Sequence, residues 1–346
     1  MHGAVAGSRA PLPEQRSFTG KTRAVCRRCS SNRFDEPSAP NTFLYTAAMV
    51  PFLHFGRLLI PTFGLMIAAA MAVAYYVLRA DFARRGLAAK DSTTAEMFVA
   101  VPALCGIVGA KLYHVLETPR ELLADPLGQL FSRYGLAWFG GLLAGFAAFV
   151  WLARRFRYSL PQVFDAGSAA AAIGYGVGRI GCLLSGDGDY GVPTSLPWGM
   201  SFPNGLVPTS ERVHPTPMYE LIVACAIAWI LWELGRLQIL SGSIGKSTTA
   251  SRRDRVEFAS EAPRASASLE TPSKRWNALR PWLRPGSVFA AYLILTGVAR
   301  FLVEFIRINP RSFFGLTNAQ AASLASVISG VALWVAVSRK SLPQSR

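Results

Sequence analysis

Seven long apolar segments constrain what this chain can fold into. They lie at 58–78, 95–116, 136–153, 163–184, 217–235, 286–306 and 318–338. Each is close to the length of about 20 residues that an α-helix needs to cross the hydrocarbon core of a bilayer. Composition agrees, since 51% of the 346 residues are hydrophobic and only 16% are charged. The sequence therefore predicts an all-α integral membrane protein with about seven transmembrane helices in a bundle. The fourth segment is rich in Ala and Gly, which favour close packing, so we expect it inside the bundle.

Charged residues predict the orientation of these segments. The formal net charge is +16, but the basic residues form short clusters beside the segments, and no aromatic and basic module for binding nucleic acid is present. The loop at 185–216, in contrast, contains one basic residue, Arg212. Because positive loops stay in the cytoplasm, we predict a multi-pass membrane protein whose loop 185–216 lies on the extracytoplasmic side. The cytoplasmic clusters include Arg79, Arg84, Arg85, Arg154, Arg155, Arg157, Arg339 and Lys340.

Two stretches fall outside this pattern. Residues 1–48 carry seven Lys or Arg, and they are either a disordered basic extension or lie upstream of a true start at Met49, which we favour. Within 49–346, the stretch 238–285 is rich in Ser, Thr, Ala, Arg and Pro, which predicts a flexible cytoplasmic insert. A lone CxxC in the N-terminal stretch has no second pair, so we predict neither a metal nor a cofactor.

Polar residues gather at the predicted outer ends of several segments. In "GIVGAKLYHVLE" (106–117), His114 is either an interfacial anchor or a group that moves protons near neutral pH. In "LAWFGGLLAG" (136–145), Gly140 and Gly141 leave a groove for a neighbouring helix or for a lipid chain, and helix packing is the safer interpretation. The segment "VHPTPMYE" (213–220) adds His214, Tyr219 and Glu220 at the same surface.

Arginines within apolar segments are the strongest sign of a site. Arg179 lies in "GYGVGRIGCLLSGDGDYG" (174–191). Placing a charged arginine at the centre of a bilayer costs about 3 kcal/mol by the lower estimates, unless an anion compensates its charge. That anion is either an internal carboxylate, Asp187 or Glu304, or the phosphodiester of a lipid headgroup, which a guanidinium can bind bidentately.

A second charged segment is "GVARFLVEFIR" (297–307). Its charged residues Arg300, Glu304 and Arg307 are spaced to share one helical face. A simple ion pair there would leave one positive charge free to hold an anion.

Together these stretches resemble the prolipoprotein diacylglyceryl transferase family. The matching motifs follow the family's order across nearly all of 49–338. They are "FGLM" (63–66), "GAKLYHVL" (109–116), "DPL" (125–127), "GGLLAG" (140–145), "GRIG" (178–181), "HPTPMYE" (214–220) and "RFLVEFIR" (300–307), followed by Gln320. The resemblance implies a seven-helix, multi-pass protein of the bacterial inner membrane whose active site opens to the outer leaflet and the periplasm. It also implies two substrates, phosphatidylglycerol and a prolipoprotein signal peptide with a lipobox cysteine, whose thiol receives the diacylglyceryl group.

The resemblance also implies roles for individual residues. Arg179 and Arg300 would hold the lipid phosphate, and Glu304 would orient Arg300. The catalytic set expected from it is Arg179, Arg300, His114, Asp187 and Glu304. The substrate-binding set is Arg179, Arg300, Arg307, Gly140, Gly141, Gly178, His214 and Tyr219.

The chain departs from the family pattern where proton chemistry is expected. Phe63 and Phe139 replace polar residues, Cys182 replaces an asparagine, Thr296 replaces a tyrosine, and the usual "NGE" is Ser185, Gly186 and Asp187. A thiol with a pKa near 8.5 needs a base or a positive potential to form thiolate. His114 is the first candidate base and His214 the second, and Asp187 could serve if burial raised its pKa. The alternative is a divergent paralogue that binds anionic phospholipid without catalysis or uses another acceptor.

Overall fold

The computed structural model describes residues 50–87, 93–132, 137–258, 283–309 and 315–339. The predicted N-terminal stretch 1–48 lies outside these residues, as does half of the predicted insert, 259–282. Their structure and the start at Met49 stay predictions.

Helices account for most of the described residues. Seven are long: α1 (Thr62–Arg84), α2 (Thr93–Glu117), α5 (Trp138–Arg155), α6 (Leu160–Ser185), α7 (Thr216–Phe258), α8 (Ser287–Val303) and α9 (Asn318–Arg339). Two short helices, α3 (Pro119–Ala124) and α4 (Pro126–Phe131), follow α2. The mostly helical class is therefore confirmed.

Five of the long helices are long and apolar enough to cross a membrane. They are α1, α2, α6, α7 over Thr216–Ser241, and α9, whereas α8 is apolar but has 17 residues. A membrane protein with several spans is thus supported. The total of about seven spans remains a prediction.

Helix α6 is the innermost of these five spans. It contacts α1, α7 and α8, and 39% of its apolar window is buried, against 11% in α1, α2 and α9. Its small residues allow this, because Ala166, Ala169 and Ala172 are buried and let neighbouring helices approach. The predicted interior position of this helix is confirmed.

Two small antiparallel hairpins were not predicted. Strands β1 (Phe52–Phe55) and β2 (Leu58–Pro61) precede α1, and β3 (Met200–Phe202) pairs with β4 (Thr209–Val213) between α6 and α7. The first apolar segment therefore begins as a strand, and α1 begins only at Thr62.

Two helix boundaries also differ from the predictions. Helix α7 continues to Phe258, so the insert predicted from 238 begins as helix. Helix α8 ends at Val303 rather than 306, because Glu304–Ile306 form a turn and Arg307 then bridges to Gly191.

A buried carboxylate ties three helices together at the end of α6 far from these turns. Asp165 is fully buried and accepts hydrogen bonds from the backbone amides of Gly286 (2.7 Å) and Phe289 (2.8 Å) and from Gln238 Nε2 (2.8 Å). It thereby satisfies amide groups at the start of α8 that the helix itself cannot pair. At their other ends the same three helices carry Arg179 (α6), Glu220 (α7) and Arg300 (α8).

Candidate active site

Three arginines and three carboxylates meet where α6 ends, α7 begins and α8 ends. We call this group the arginine cluster. Its members are Arg179, Arg300, Arg307, Asp189, Glu220 and Glu304. Arg179 comes from α6, Glu220 from α7, Arg300 from α8 and Asp189 from the loop after α6.

Arg179 is engaged on all three nitrogens. Its Nε lies 2.9 Å from Glu220 Oε2, and its Nη1 donates to Asp189 Oδ2. Its Nη2 donates to the hydroxyl of Tyr175 (2.8 Å), one turn earlier on α6. Internal carboxylates therefore compensate Arg179, which was one of the two alternatives, but they belong to Asp189 and Glu220 rather than to Asp187 or Glu304.

The reasons lie in the local structure. Asp187 turns back to accept from the Asp189 amide (3.2 Å). Glu304 faces Arg300, which shares its segment, at 3.1 Å.

Glu220 is the central anion of the cluster. Its side chain is only 4% exposed, and its carboxylate oxygens lie 2.9 Å from Arg179, 2.9 Å from Arg300 and 3.7 Å from Arg307. It also accepts a hydrogen bond from the Tyr175 hydroxyl at 2.9 Å. Burial of this carboxylate is tolerable because charged partners surround it.

Glu304 and Arg307 complete the cluster despite the end of α8. Glu304 is fully buried, contacts Arg300 at 3.1 Å and Arg307 at 3.9 Å, and accepts from Asn309 Nδ2 at 2.6 Å. Arg307 Nη2 donates to Asp189 Oδ1. The predicted grouping of Arg300, Glu304 and Arg307 is confirmed, although the turn at Glu304–Ile306 rather than a continuous helix brings it about.

The expectation that one arginine would stay free was wrong. Three guanidinium groups face three carboxylates, so the formal charges of the cluster sum to zero. The expectation counted only the charges of one segment, whereas two further carboxylates come from elsewhere in the chain: Glu220 from α7 and Asp189 from the loop after α6.

The loop after α6 places two aspartates in different environments. Gly186 (φ 57°) and Gly188 (φ 93°) adopt left-handed backbone conformations that suit glycine. Burial raises the pKa of Asp187 above its usual 3.8, and the nearby charge of Asp189 raises it further. Burial also acts to raise the pKa of Asp189, but Arg307 and Arg179 outweigh it, so that pKa lies below 3.8.

The end of α6 and the loop after it form a poor binding site for a metal cation. Potential ligand atoms of Cys182, Asp187 and Asp189 lie within 4.8 Å of one another. However, both oxygens of Asp189 already bind guanidinium groups, whose positive charge repels a metal ion. Guanidinium groups in this number suit an anion with several acceptor oxygens, such as a phosphate ester.

The predicted histidines lie in different places. His214 Nδ1 is 3.2 Å from the Tyr219 hydroxyl, which also accepts from Trp198 Nε1 at 2.8 Å. His214 accepts a backbone hydrogen bond from Gly191 at 2.9 Å, and Gly191 bridges to Arg307, so this pair lies beside the arginine cluster. For His114, on α2, no hydrogen bond or ion pair joins the ring to the cluster within the described ranges; its backbone carbonyl accepts from Thr118.

The predicted glycines make helix contacts. Gly140 and Gly141 of α5 lie against the backbone of Gly109 and Gly106 of α2, which supports the packing interpretation. Gly178 lies near Ile67 of α1, whose Cδ1 would be 3.8 Å from an added Cβ. Their part in substrate binding stays a prediction.

Three members of the site were missing from the predicted set: Tyr175, Asp189 and Glu220. Tyr175 lies four residues before Arg179, the spacing that places two side chains together on a helix. Glu220 is the last residue of the "HPTPMYE" motif. Asp189 lies in the stretch "GDGDYG" (186–191), which contains two aspartates and three glycines. The spacing of Tyr175 and the motif position of Glu220 were usable signals.

The fold and the site together define a membrane protein of apolar helices that carries a charge-balanced arginine cluster at one end of its bundle. The family model for prolipoprotein diacylglyceryl transferase matches residues 51–245 and 273–336. Because this match covers most of the chain, the protein belongs to the prolipoprotein diacylglyceryl transferase family. The family predicted from the sequence motifs is confirmed.

Three proteins with similar sequences have the same name, phosphatidylglycerol–prolipoprotein diacylglyceryl transferase. The relative from Geobacter sulfurreducens is 29% identical, over 84% of this chain and 95% of its own length. The one from Clostridium tetani is 26% identical, over 78% and 90%. The one from Thermus thermophilus is 34% identical over 44% of this chain and 53% of its own. The chain is thus similar to the transferases from Geobacter sulfurreducens and Clostridium tetani over nearly their whole length, and it is itself a transferase.

Proposed function

We propose that this protein transfers the diacylglyceryl group of phosphatidylglycerol to the lipobox cysteine thiol of prolipoproteins, the first step of lipoprotein maturation. The observation that carries the proposal is the arginine cluster at the ends of apolar helices. It offers phosphate-binding groups where a lipid headgroup can reach them. Family membership and the names of the relatives support the same activity.

The reaction exchanges one bond for another. The cysteine sulfur attacks the glyceryl carbon that carries the phosphate, a carbon–sulfur bond forms, and the carbon–oxygen bond to phosphate breaks. Glycerol phosphate leaves with the bonding electron pair, and the protein product is a thioether. The thiol proton passes to a base.

The arginines would serve the phosphate end of this reaction. Negative charge builds on the departing phosphate oxygens, and preorganised guanidinium groups stabilise such charge most effectively where water is scarce. Arg179 and Arg300 are 14% and 27% exposed, so they are partly shielded yet reachable. Glu220 and Glu304 fix the direction of Arg300.

Asp187 is the base that we favour. Burial raises the pKa of its carboxylate, which makes the ionised form a stronger proton acceptor than an exposed aspartate. It lies two residues from Asp189 and so beside the cluster. His114, whose ring makes no described contact with the cluster, is the weaker candidate, and His214 acts in substrate positioning with Tyr219.

The membrane arrangement follows from charge. We propose seven spans in the inner membrane, with α5 and the 17-residue α8 crossing in addition to the five longer helices. The arginine cluster then faces the outer leaflet and the periplasm, and basic clusters such as Arg154 and Arg155 remain in the cytoplasm. Acyl chains would enter sideways from the bilayer, and the prolipoprotein would arrive on its own signal helix.

The proposal is tested by transfer in a purified system. Folded protein is mixed with phosphatidylglycerol labelled in its acyl chains and a peptide that carries a lipobox cysteine, and the thioether product is detected by mass spectrometry. Arg179→Ala should abolish the product, whereas Arg236→Ala, an exposed arginine on α7 (67% exposed side chain), should leave it unchanged. Failure of the folded wild type to form thioether contradicts the proposal. Lipid binding without product indicates a non-catalytic paralogue instead.

A further inference from the structure

We propose that Asp189 is an internal substitute for the substrate phosphate. Its carboxylate bridges Arg179 and Arg307 and leaves them when a phosphate ester binds, so these two arginines, which we call the phosphate clamp, hold the phosphate together with Arg300. The identification of that ester as a phospholipid headgroup rests on the proposed function.

The contacts of Asp189 are those that a phosphate would make. One carboxylate oxygen accepts from Arg179 Nη1 and the other accepts from Arg307 Nη2. Guanidinium groups bind carboxylate and phosphate through the same planar, charge-assisted geometry. Two nonbridging phosphate oxygens can therefore replace the two oxygens of Asp189.

Asp189 is also the carboxylate of the cluster that can leave most easily. Its side chain is 30% exposed, against 4% for Glu220 and 0% for Glu304. It belongs to a loop, whereas Glu220 lies in α7 and contacts all three arginines. Glu304 is held by Asn309 in addition to its arginines.

Arg307 has binding capacity that Asp189 does not use. Its side chain is 8% exposed. Its buried Nε and Nη1 lie 3.9 Å from Glu304 and 3.7 Å from Glu220, too far for a hydrogen bond, and they make none among the described residues. Buried donors without acceptors cost free energy. A phosphate ester brings more acceptor oxygens than a carboxylate, so the exchange gains hydrogen bonds at Arg307.

The exchange also conserves charge. Asp189 is ionised at neutral pH because its arginine partners hold its pKa low. When it turns outward to water and a phosphodiester takes its place, one monoanion replaces another, and the cluster stays neutral. Asp189 therefore competes with the lipid and sets its apparent affinity.

Removing this competitor should tighten binding. An internal ligand that occupies the clamp lowers the apparent affinity by the fraction of molecules in which the clamp is open. Asp189→Asn keeps the size of the side chain but removes its charge. We expect its apparent Kd for phosphatidylglycerol to fall by about tenfold or more, as it would if the clamp were open in about a tenth of wild-type molecules.

The experiment uses full-length protein in a phosphate-free maltoside detergent and measures ligand-dependent thermal stabilisation. The ligands are phosphatidylglycerol, inorganic phosphate, and diacylglycerol with the same acyl chains, which lacks phosphate. Glu211→Gln, which removes an exposed carboxylate of β4, is the charge-matched control and should behave as wild type. If Asp189→Asn binds phosphatidylglycerol more tightly but not inorganic phosphate, the clamp recognises the phosphate of a lipid headgroup. If it binds both more tightly, the phosphate group alone is sufficient for recognition.

An unchanged or weaker affinity of Asp189→Asn for both phosphate-containing ligands overturns the proposal. So does an equal gain in affinity for diacylglycerol, because the effect would then not concern phosphate. If Asp189→Asn does not fold, Asp189→Ser provides the same test. Binding does not require transfer, so the two proposals can fail separately. Tighter binding by Asp189→Asn without thioether product from the wild type supports this inference and contradicts the proposed function. Thioether product from the wild type without tighter binding by Asp189→Asn supports the proposed function and contradicts this inference.

Discussion

Glu220 contacts three arginines through a side chain that is 4% exposed. Removing one partner of a buried ion pair leaves the others uncompensated, which costs about 3 kcal/mol or more. We therefore expect Glu220→Gln to lower the free energy of unfolding by about 3 kcal/mol and to abolish transfer. Thermal unfolding and the peptide assay measure the two effects.

Glu233→Gln is the matched control for this substitution. Glu233 lies on the same helix, is 39% exposed and faces Arg236 at 3.6 Å. Exposed ion pairs contribute about 1 kcal/mol or less, so stability and activity should change little. Equal effects of the two substitutions would contradict the central role of Glu220.

Tyr175 places one hydroxyl between Arg179 and Glu220, at 2.8 Å and 2.9 Å. Tyr175→Phe removes both hydrogen bonds but leaves the ring, whose centroid lies 4.8 Å from the Arg179 guanidinium carbon. A hydrogen bond to a charged group contributes about 1.5–3 kcal/mol, so kcat should fall about tenfold or more. KM should change less, because the arginine charge remains.

The control for Tyr175→Phe is Tyr76→Phe. Tyr76 is 65% exposed on α1, away from the described contacts of the cluster. Its loss of a hydroxyl should leave kcat at the wild-type value. A fall in stability without any fall in kcat for Tyr175→Phe would assign that hydroxyl a structural role only.

Asp187 predicts a particular pH dependence. Burial raises its pKa above 3.8, so the carboxylate that accepts the thiol proton is lost at a higher pH than for an exposed aspartate. The transfer rate should rise with pH through this raised pKa. Asp187→Asn should slow transfer and remove that dependence, and kcat/KM measured from pH 4 to 8 reports both. A normal pH profile in Asp187→Asn, together with its loss in His114→Ala, would move the role to His114.

Single residues show where sequence alone was sufficient. Arg179, Arg300 and Arg307 were predictable because an arginine in an apolar segment needs an anion. The pairing of these arginines with Asp189 and Glu220 was not predictable, because the two carboxylates reach the arginines from other parts of the chain and depend on how α6, α7 and α8 meet. The spacing of Tyr175 predicts its contact with Arg179, but the second partner of its hydroxyl, Glu220, lies on another helix and could not be predicted locally.

At the scale of helices, α2 and α5 approach through glycines. A Cβ added at Gly109 would lie 2.6 Å from the backbone oxygen of Gly140 and closer still to Ala144 Cβ. Backbone atoms cannot move aside without separating the helices. Gly109→Ala should therefore lower the free energy of unfolding by about 1–3 kcal/mol, the usual cost of overpacking.

Gly64→Ala on α1 is the control for this contact. Its added Cβ would lie 3.6 Å from Pro61 Cγ, which is ordinary contact, and alanine favours helix over glycine by up to about 1 kcal/mol. Its thermal unfolding should occur at the wild-type temperature or above. Equal destabilisation by both substitutions would exclude the glycine contact as the cause.

Elements were predictable to different degrees. Each predicted apolar segment lies mostly within a long helix, because apolar length is a strong signal. The hairpins β1–β2 and β3–β4 have strands of three to five residues, too short for a clear alternation of polar and apolar residues. The end of α8 at Val303 depends on pairing of Val192 with Ile306 and of Gly191 with Arg307, which no local pattern contains.

For the whole molecule, the proposed orientation makes a labelling prediction. Glu211→Cys, on β4, should react with a membrane-impermeant maleimide in cells whose outer membrane is permeabilised. Arg236→Cys, near the other end of the bundle, should react only after the inner membrane is opened. Variants are compared with a parent whose native cysteines are replaced by serine or alanine. The reverse pattern would invert the topology.

The neutrality of the arginine cluster has a consequence for energetics across the membrane. A single charge that crosses the full membrane potential changes energy by about 2.3 kcal/mol per 100 mV. Because one anion leaves the cluster as another enters, lipid uptake moves almost no net charge through that field. We therefore expect phosphatidylglycerol binding in energised vesicles to be nearly insensitive to the membrane potential, so that collapse of the ion gradients should leave this binding step unchanged.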